Sequence, residues 1–457
     1  MLFRRRGARH EMDMTSGPLL HKVILFSAPL VLTGVLQLLY NAADMVVVGN
    51  FAGHEALAAV GSTGSLINLL VNVFMGLSVG ASVQVARQWG ARDLTGVSRG
   101  VHTAITVAGI SGLLVGVTGF VLARPLLELM GNPADVIDLA ALYMRIYFLG
   151  MPANMLYNFG AAILRAVGDT RRPLIYLTVA GLVNVVLNLL LVIVFSMSVA
   201  GVALATVISQ VVSAALVLGC LCRSDGALHL DLHRLRIDPQ QLGAIARVGL
   251  PAGLQGSLFS VSNVLIQSAI NEFGSIAVAG NSVASSLEGF VYTSMNSIYQ
   301  ADLTFASQNY GAHKPDRVRR VMWVCLGTVA VVGLVLGFAF WALGTPLISI
   351  YNRDPEVIRF GLLRLSVIMP TYCLCGMMDT MVGQLRGIGC SITPMFVSLA
   401  GACLFRIVWI MTLFAQPAWH TLTVLYLSYP VSWALTFAVH LICWFTVSPR
   451  LLKTLEE

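Results

Sequence analysis

The chain contains few charged residues: Asp, Glu, Lys and Arg together make up only 11% of its 457 positions. Hydrophobic residues account for 57%, and the mean hydropathy is +0.81. A composition of this kind does not provide the polar surface that a water-soluble domain needs. The shortage of charge therefore excludes the soluble globular classes.

The sequence also lacks the short motifs of metal, redox and nucleotide chemistry. Its eight cysteines include no C-x-x-C pair and no nearby histidine at zinc-ligand spacing. His229 and His233 stand four positions apart in a polar stretch, but no third ligand accompanies them. There is no histidine cluster, no nucleophile with a base at motif spacing and no nucleotide loop. We therefore expect no resident metal or cofactor, and no enzymatic activity.

Long apolar segments are what the sequence has instead. Each contains roughly 20 residues or more, which is enough to span the hydrocarbon of a bilayer as a helix. This pattern predicts an all-α polytopic membrane protein that is surrounded by lipid. The twelve predicted spans are 22–48, 56–83, 100–123, 136–163, 173–195, 200–222, 246–270, 276–304, 318–343, 357–384, 393–414 and 421–446.

The basic residues are distributed very unevenly between the loops that connect these spans. With the N-terminus placed inside, 22 of the 28 Lys and Arg residues lie on the cytoplasmic side and 2 lie outside. This asymmetry is the positive-inside signal of membrane proteins, and it predicts that both termini are cytoplasmic. The net charge of +7 thus reports topology, and we expect no nucleic-acid partner.

The two halves of the chain repeat one another at an offset of about 221 residues. The stretch 164–173 (LRAVGDTRRP) returns as 385–394 (LRGIGCSITP), and Pro29 pairs with Pro251. The repeat predicts an N-terminal six-helix lobe at 1–222, a cytoplasmic linker at 223–244 and a C-terminal six-helix lobe at 245–457. Because six is an even number, both lobes enter the membrane in the same orientation. We expect two pseudo-symmetric bundles related by an axis along the membrane normal, with a substrate cleft between them.

Polar side chains recur at helical spacing inside several predicted spans. Such side chains cost free energy in hydrocarbon unless they face a partner or water, so their stripes predict a polar interior. The alternative is that these groups join helices to one another, at about 0.6 kcal/mol per pair. The candidates are Gln37, Tyr40, Asn41 and Asp44 on the first span, Asn68 on the second, Asn154 and Asn158 on the fourth, Asn184 and Asn188 on the fifth, Gln255, Asn263 and Gln267 on the seventh, and Asn281, Ser285, Glu288 and Tyr292 on the eighth.

Three carboxylates, those of Asp44, Glu288 and Asp379, fall well inside predicted spans. None has an acidic counterpart in the other half of the repeat: Asp44 corresponds to Ile266, Glu288 to Ile67 and Asp379 to Asn158. Asp44 has no Lys or Arg at mid-span in its own half, which favours a switchable proton or sodium site. In the second half Arg406 is expected to serve Glu288 or Asp379 as a structural ion pair. Two further acids, Asp302 and Glu272, are expected near the membrane interfaces and in contact with water.

Three segments resemble the MATE (multidrug and toxic compound extrusion) transporters over essentially the whole chain. They are 37–49 (QLLYNAADMVVVG) followed by 56–61 (ALAAVG), the paired LR-x-x-G-(x4)-P segments, and 308–312 (QNYGA). In the DinF-like branch of that family, Asp44 is similar to the cation-coupling acid, with polar partners at Asn184, Thr206 and Asn188. Some relatives have a second acid where this chain has Asn188, which leaves proton and sodium both open. The NorM-like branch uses acids on helices seven and ten, where this chain offers Gln255, Asn263 and Gln267, and Asp379 about a turn out of register.

The resemblance implies a bacterial plasma-membrane antiporter that exports organic, often cationic, compounds in exchange for a proton or sodium ion. Alternating access between the lobes would move small-molecule substrates through the cleft, and we expect the chain to work as a monomer. A flippase or exporter of a lipid-linked or other endogenous metabolite is the alternative within transport. A membrane enzyme fits the sequence less well because the catalytic motifs are missing. A non-transporting scaffold fits less well because it would not need acids buried without partners.

Overall fold

The computed structural model describes residues 11–130, 136–453 and 455, and this part of the chain is helical without a strand. Helices are the expected result, because every backbone N–H and C=O in a bilayer must be satisfied within its own segment. The all-α architecture and the twelve helical segments predicted from the sequence are confirmed, four of them as broken or distorted helices.

The first half of the chain contributes seven α-helices and a distorted helical end. α4 and α5 form one predicted span, and α6 continues directly into a π-helix at Leu189–Val194. The helices are α1 (Leu19–Phe51), α2 (His54–Gly90), α3 (Leu94–Leu129), α4 (Ile137–Leu149), α5 (Met151–Ala166), α6 (Arg171–Asn188) and α7 (Ser198–Cys222).

The second half repeats this order with more interruptions. α12 and α13 meet at a bend of 48°, and the predicted span at 393–414 is built from α14, α15 and two π-helical segments, Leu399–Leu404 and Ile410–Phe414. The helices are α8 (Pro239–Asn271), α9 (Ser275–Gly311), α10 (Pro315–Ala342), α11 (Gly344–Tyr351), α12 (Pro355–Ile368), α13 (Cys373–Gly387), α14 (Ile392–Ser398), α15 (Phe405–Trp409) and α16 (Leu422–Lys453).

Apolar length by itself identifies only part of this set. Within the described residues, eight helices are long and apolar enough to cross a membrane, or nine when α12 and α13 count as one span. The α4 and α5 pair, α8 and α9 do not meet that criterion. The latter two helices contain polar stripes that the sequence predicted.

Several residues with positive φ, an uncommon backbone conformation, occur in pairs at the 221-residue offset of the repeat. Gly168 and Gly389 both adopt the left-handed region, with φ of 93° and 86°. Each follows the end of one helix, and the next helix begins a few residues later. Glycine suits this position because it has no Cβ to clash. Arg92 and His313, also 221 positions apart, have φ of 58° and 55° at the ends of α2 and α9. The π-helices that begin at Leu189 and Ile410 obey the same offset.

The described chain divides into two compact units that do not coincide with the halves of the repeat. The first unit contains Leu32–Ser257 with the short segment that ends at Asp13, and the second contains Met14–Val31 with Leu258–Glu457. The start of α1 thus packs within the second unit, where the Phe26 and Phe305 rings meet edge-on at 5.8 Å. Linker residues and the start of α8 pack within the first unit. Pro29 and Pro251 precede the two changes of unit by a few residues, at points where a helix lacks one hydrogen bond.

Small residues allow α2 and α8 to approach closely inside the first unit. A Cβ added to Gly253 would lie 2.1 Å from the carbonyl oxygen of Val73, and one added to Gly76 would lie 2.1 Å from the nitrogen of Gly253. Gly249 and Gly76 correspond in the repeat to Ser27 and Ser297. In the second unit that serine pair forms a hydrogen bond, from Ser27 Oγ to the Ser297 carbonyl oxygen at 3.4 Å. Contacts between small residues are typical of helix packing in membranes.

The turn at Gly168 is held by a buried carboxylate. Asp169 is 1% exposed, accepts hydrogen bonds from the backbone N–H groups of Arg171 and Arg172, and lies 2.5 Å from Arg172 Nε. Glu11 approaches the same pair from the N-terminal segment. Burial raises the pKa of Glu11, while the charge of Arg172 acts against that rise. The N-terminal segment therefore places an acid, Glu11, in a partly buried and charged environment outside the membrane spans.

Candidate functional site

Asp44 is the centre of a small polar cluster in the first unit. It lies on α1 and is partly buried, and Asn188 at the end of α6 donates a hydrogen bond from Nδ2 to Asp44 Oδ1. Asn188 Nδ2 is also 3.2 Å from Oδ1 of Asn184, one turn earlier on the same helix. Both asparagines are buried, at 1% and 5% exposure. The predicted stripe of amides on α6 therefore does face the predicted acid.

No cation neutralises Asp44 among the ion pairs of the described residues. Asn188 Oδ1 is buried and has no hydrogen-bond partner in the described part of the chain, which leaves an acceptor oxygen close to the carboxylate. Carboxylate and amide oxygens are ligands that hard cations prefer, and a carboxylate is equally able to accept a proton. The π-helix that starts directly after Asn188 changes the hydrogen-bond register at this point, a feature that is frequent at functional sites.

Thr206 does not join this cluster through a hydrogen bond. Its hydroxyl donates to the Val202 carbonyl oxygen at 3.0 Å, within α7. Two tyrosines that the sequence did not single out, Tyr143 and Tyr147 of α4, are within electrostatic range of Asp44. Their rings stack with centroids 6.1 Å apart. Their spacing of four residues on one helix face was the available signal.

The other predicted residues of the first unit have separate environments. The Tyr40 ring packs against Gly181 of α6, and its hydroxyl donates to the Thr178 carbonyl oxygen at 3.4 Å. Asn158 Nδ2 donates to Oδ1 of Asn154 at 3.0 Å, so these two amides partner each other on α5. Gln255 is buried at 5% exposure, whereas Gln37, Asn41 and Asn68 are exposed on the surface of the protein.

The second unit contains a cavity of about 460 Å³ between α8, α9, α12, α13, α15 and α16. Eight residues singled out from the sequence line it, three of them charged, and Arg364 of α12 joins them. The cavity thus combines acids, arginines and aromatic rings within one helical bundle. Its polar lining residues include Asn263, Gln267, Asn281, Glu288, Tyr292, Arg364, Asp379 and Arg406.

The expectation that Arg406 serves Glu288 is wrong, because Glu288 pairs with Arg364. Nε and Nη2 of Arg364 donate to the two carboxylate oxygens at 2.7 Å each, and Nη1 donates to Asn281 Oδ1 at 2.8 Å. The two side chains are 6% and 8% exposed. Arg364 lies on α12, which packs against α9. Its planar guanidinium binds both oxygens of the carboxylate at once, a geometry that arginine provides and lysine does not.

Arg406 instead lies over aromatic rings. Its guanidinium carbon is 4.3 Å from the Tyr429 centroid and 5.7 Å from that of Trp433, and Nε donates to Ser432 Oγ at 2.9 Å. The stripe Tyr426, Tyr429 and Trp433 on α16, at spacings of three and four, was the sequence signal for these contacts. The alternative pairing with Asp379 is likewise absent from the ion pairs of the described residues, and Asp379 hydrogen-bonds with Tyr292.

Asp302 is not solvated, contrary to the expectation from its position near a span end. It is 0% exposed on α9, and its hydrogen-bond neighbour among the described residues is the thiol of Cys325 on α10, a weak donor. α9 runs on to Gly311 while packed against α10 and α13, so its end stays inside the protein. Glu272 is exposed, and one of its carboxylate oxygens lies 3.4 Å from Nε2 of His420.

The bundle of membrane-spanning helices, the internal repeat and the polar sites within the spans together define a multi-pass membrane transporter rather than an enzyme. The MatE family profile matches residues 29–190 and 251–412, one copy in each half of the repeat. The chain belongs to the MatE family, whose bacterial members include multidrug efflux transporters.

Relatives and solved structures agree with this assignment. The chain is 28% identical to the probable multidrug resistance protein YoeA of Bacillus subtilis (strain 168) over 82% of both chains. It is 26% identical to the FAD transporter of Shewanella oneidensis, over 72% of this chain and 74% of the relative. A crystal structure of MATE in the bent conformation has the same fold, with a TM-score of 0.87, 20% identity and coverage of 95% and 97%.

Proposed function

We propose that this protein is an antiporter that exports organic compounds, cationic ones among them, in exchange for a proton or a sodium ion. The observation that supports the proposal most directly is Asp44, an acid within a membrane helix with amide partners and no basic partner among the described residues. Such an acid can exchange between a charged form and one neutralised by a cation. No other cofactor is needed for this exchange.

Coupling requires the two conformational states of the transporter to bind the cation with different affinity. Asp44 and Asn188 lie on different helices, so a change in the position of α1 relative to α6 alters the number of oxygens around the cation. Alternating access then follows when the cation-loaded and drug-loaded proteins favour opposite states. We place the protein in the bacterial plasma membrane with both termini in the cytoplasm, working as a monomer.

The test is efflux of ethidium from membrane vesicles under proton and sodium gradients imposed separately. Export driven by one of the two gradients identifies the coupling ion. Asp44→Asn should abolish gradient-driven export while the protein remains folded in the membrane. Asp316→Asn is the matched control, because Asp316 is exposed and pairs with the exposed Arg319. Full export by the Asp44→Asn protein, or no gradient-dependent export of any substrate in a broad panel, would refute the proposal.

Export of an endogenous metabolite is the second candidate function, and the similarity to a FAD transporter favours it. The same vesicles loaded with FAD distinguish the two. Gradient-driven release of FAD without release of ethidium would support a metabolite exporter, and the converse would support a drug exporter. Transport of lipid-linked saccharides is the remaining alternative within this class, and a flipping assay with such a lipid tests it directly.

A further inference from the structure

The cavity of the second unit contains one guanidinium that has no counterion. Arg406 is 6% exposed and lines the cavity, and no carboxylate lies within ion-pair distance of it among the described residues. Its one side-chain hydrogen bond in the structure uses Nε, which donates to Ser432. A buried charge is costly unless it is paired and hydrogen-bonded, so this cation has unused capacity for an anionic partner.

Arg364 lines the same cavity and differs from Arg406 in having a carboxylate and an amide as hydrogen-bond partners. It also lies over aromatic rings, at 5.3 Å from the Tyr426 centroid and 5.4 Å from that of Tyr429. Its donors, however, are occupied by Glu288 and Asn281 on both sides of the fork. The Arg364–Glu288 pair is neutral as a whole. Arg406 is thus the cation that remains available at this end of the cavity.

The second acid of the cavity does not neutralise Arg406. Asp379 hydrogen-bonds with Tyr292, and the arginine within its electrostatic range is Arg386. Asp379 nevertheless contributes negative charge to the same space, which disfavours ligands with several acid groups. The combination favours a ligand with a single acid group at the Arg406 end.

The shape and lining of the cavity indicate the rest of the ligand. A volume of about 460 Å³ lies within the range of small-molecule sites, and Phe259, Tyr429 and Trp433 line it with aromatic rings. Flat rings stack on such side chains, and a guanidinium over an aromatic ring presents its N–H edge sideways, toward a planar acid.

We propose that this cavity is a binding site for a flat aromatic compound with one acid group, a carboxylate or a phosphate monoester, which the free donors of Arg406 hold. The ring system packs against the aromatic lining of the cavity, which includes Phe259, and the Arg364–Glu288 pair forms a neutral wall. The inference rests on the proposed export of organic compounds and names one chemical class that the second unit accepts.

The experiment measures equilibrium binding of fluorescent probes to the purified protein in lipid nanodiscs, without any ion gradient. Anthracene-9-carboxylate is compared with anthracene-9-methanol, and 1-naphthyl phosphate with 1-naphthol. At least one acid probe should bind about ten times more tightly than its neutral partner, as expected for hydrogen bonds to a charged group. The pair with the larger ratio identifies which acid group the site prefers.

Variants of Arg406 assign the effect to this residue. Arg406→Gln should weaken binding of the acid probe by about ten- to a hundredfold and leave the neutral probe unchanged. Arg406→Lys keeps the charge but loses the planar fork, so its affinity for the acid probe should lie between those of the unmodified protein and Arg406→Gln. Arg359→Gln is the matched control, because Arg359 also lies over a ring, that of Phe360, but is exposed and paired with Glu356. It should bind all probes like the unmodified protein.

The outcomes separate this inference from the proposed function. Asp44→Asn should lose gradient-driven efflux and keep binding of the acid probe, because the cavity lies entirely in the second unit. Acid probes that bind the unmodified protein no better than their neutral partners would overturn the inference. So would equal weakening of acid and neutral probes in Arg406→Gln. If Arg406→Gln cannot be purified, the unmodified protein and Arg406→Lys decide the question.

Discussion

Removal of one partner from the Glu288–Arg364 pair is the sharpest test of the energetics of the second unit. Glu288→Leu deletes both carboxylate oxygens. Of the three side-chain hydrogen bonds that Arg364 donates within the described residues, only the bond to Asn281 then remains. The two side chains are only 6% and 8% exposed but line the cavity, so water that reaches the guanidinium there supplies no countercharge. We expect the free energy of unfolding to fall by about 3 to 5 kcal/mol, because an uncompensated charge then remains inside the protein.

The double variant Glu288→Leu/Arg364→Met separates the worth of the pair from the cost of breaking it. Two apolar side chains of similar volume bury no charge, so most of the lost stability should return. Asn281 loses its arginine donor but keeps the Tyr426 hydroxyl at 3.4 Å, which leaves a residual loss of about 1 kcal/mol. The coupling energy of the double-mutant cycle should therefore be about 2 kcal/mol or more.

Reversible denaturation in mixed micelles, followed by tryptophan fluorescence, gives the unfolding free energies for this cycle. Glu356→Gln is the control, since its ion pair with Arg359 at 2.8 Å is exposed and should contribute about 0 to 1 kcal/mol. If Glu288→Leu is as stable as the unmodified protein, or if the two single losses simply add in the double variant, the reasoning is refuted.

Three further predictions concern other parts of the fold. Gly253→Val should lower the unfolding free energy by about 3 kcal/mol or more, because its Cβ meets the Val73 backbone. Gly109→Val, which faces open space, should cost about 1 kcal/mol or less. Equal losses would contradict the close contact between α2 and α8. Asp302→Leu should raise the unfolding free energy by about 1 to 3 kcal/mol, because it removes a buried acid whose hydrogen-bond neighbour is the weak donor Cys325. A large loss of stability would contradict this. Because the pKa of Glu11 is raised in the folded protein, its contribution to stability is present at low pH and is lost as the pH rises through that pKa. In melting curves recorded across the acid range, Glu11→Gln should remove this decrease of stability with rising pH. An unchanged pH dependence would contradict the prediction.

The helices and the repeat could be predicted from the sequence because both depend on local rules. A segment in hydrocarbon must satisfy its own backbone, so apolar length predicts a helix without knowledge of its neighbours. The turn glycines Gly168 and Gly389 are visible as a repeated motif, and the structure gives both the same left-handed conformation. The stripe of Asn184 and Asn188 indicated a face, and that face does meet Asp44.

Only the tertiary structure decided which partner each buried charge has. Glu288 and Arg364 are 76 positions apart, and their contact depends on how α9 and α12 are rotated and shifted against each other, which neither helix determines alone. The same reason explains why Arg406 was assigned to an acid when it packs on Tyr429, and why Asp302 was placed in water when it is buried. Sequence periodicity determines which face of a helix is polar, and packing between helices determines what that face meets.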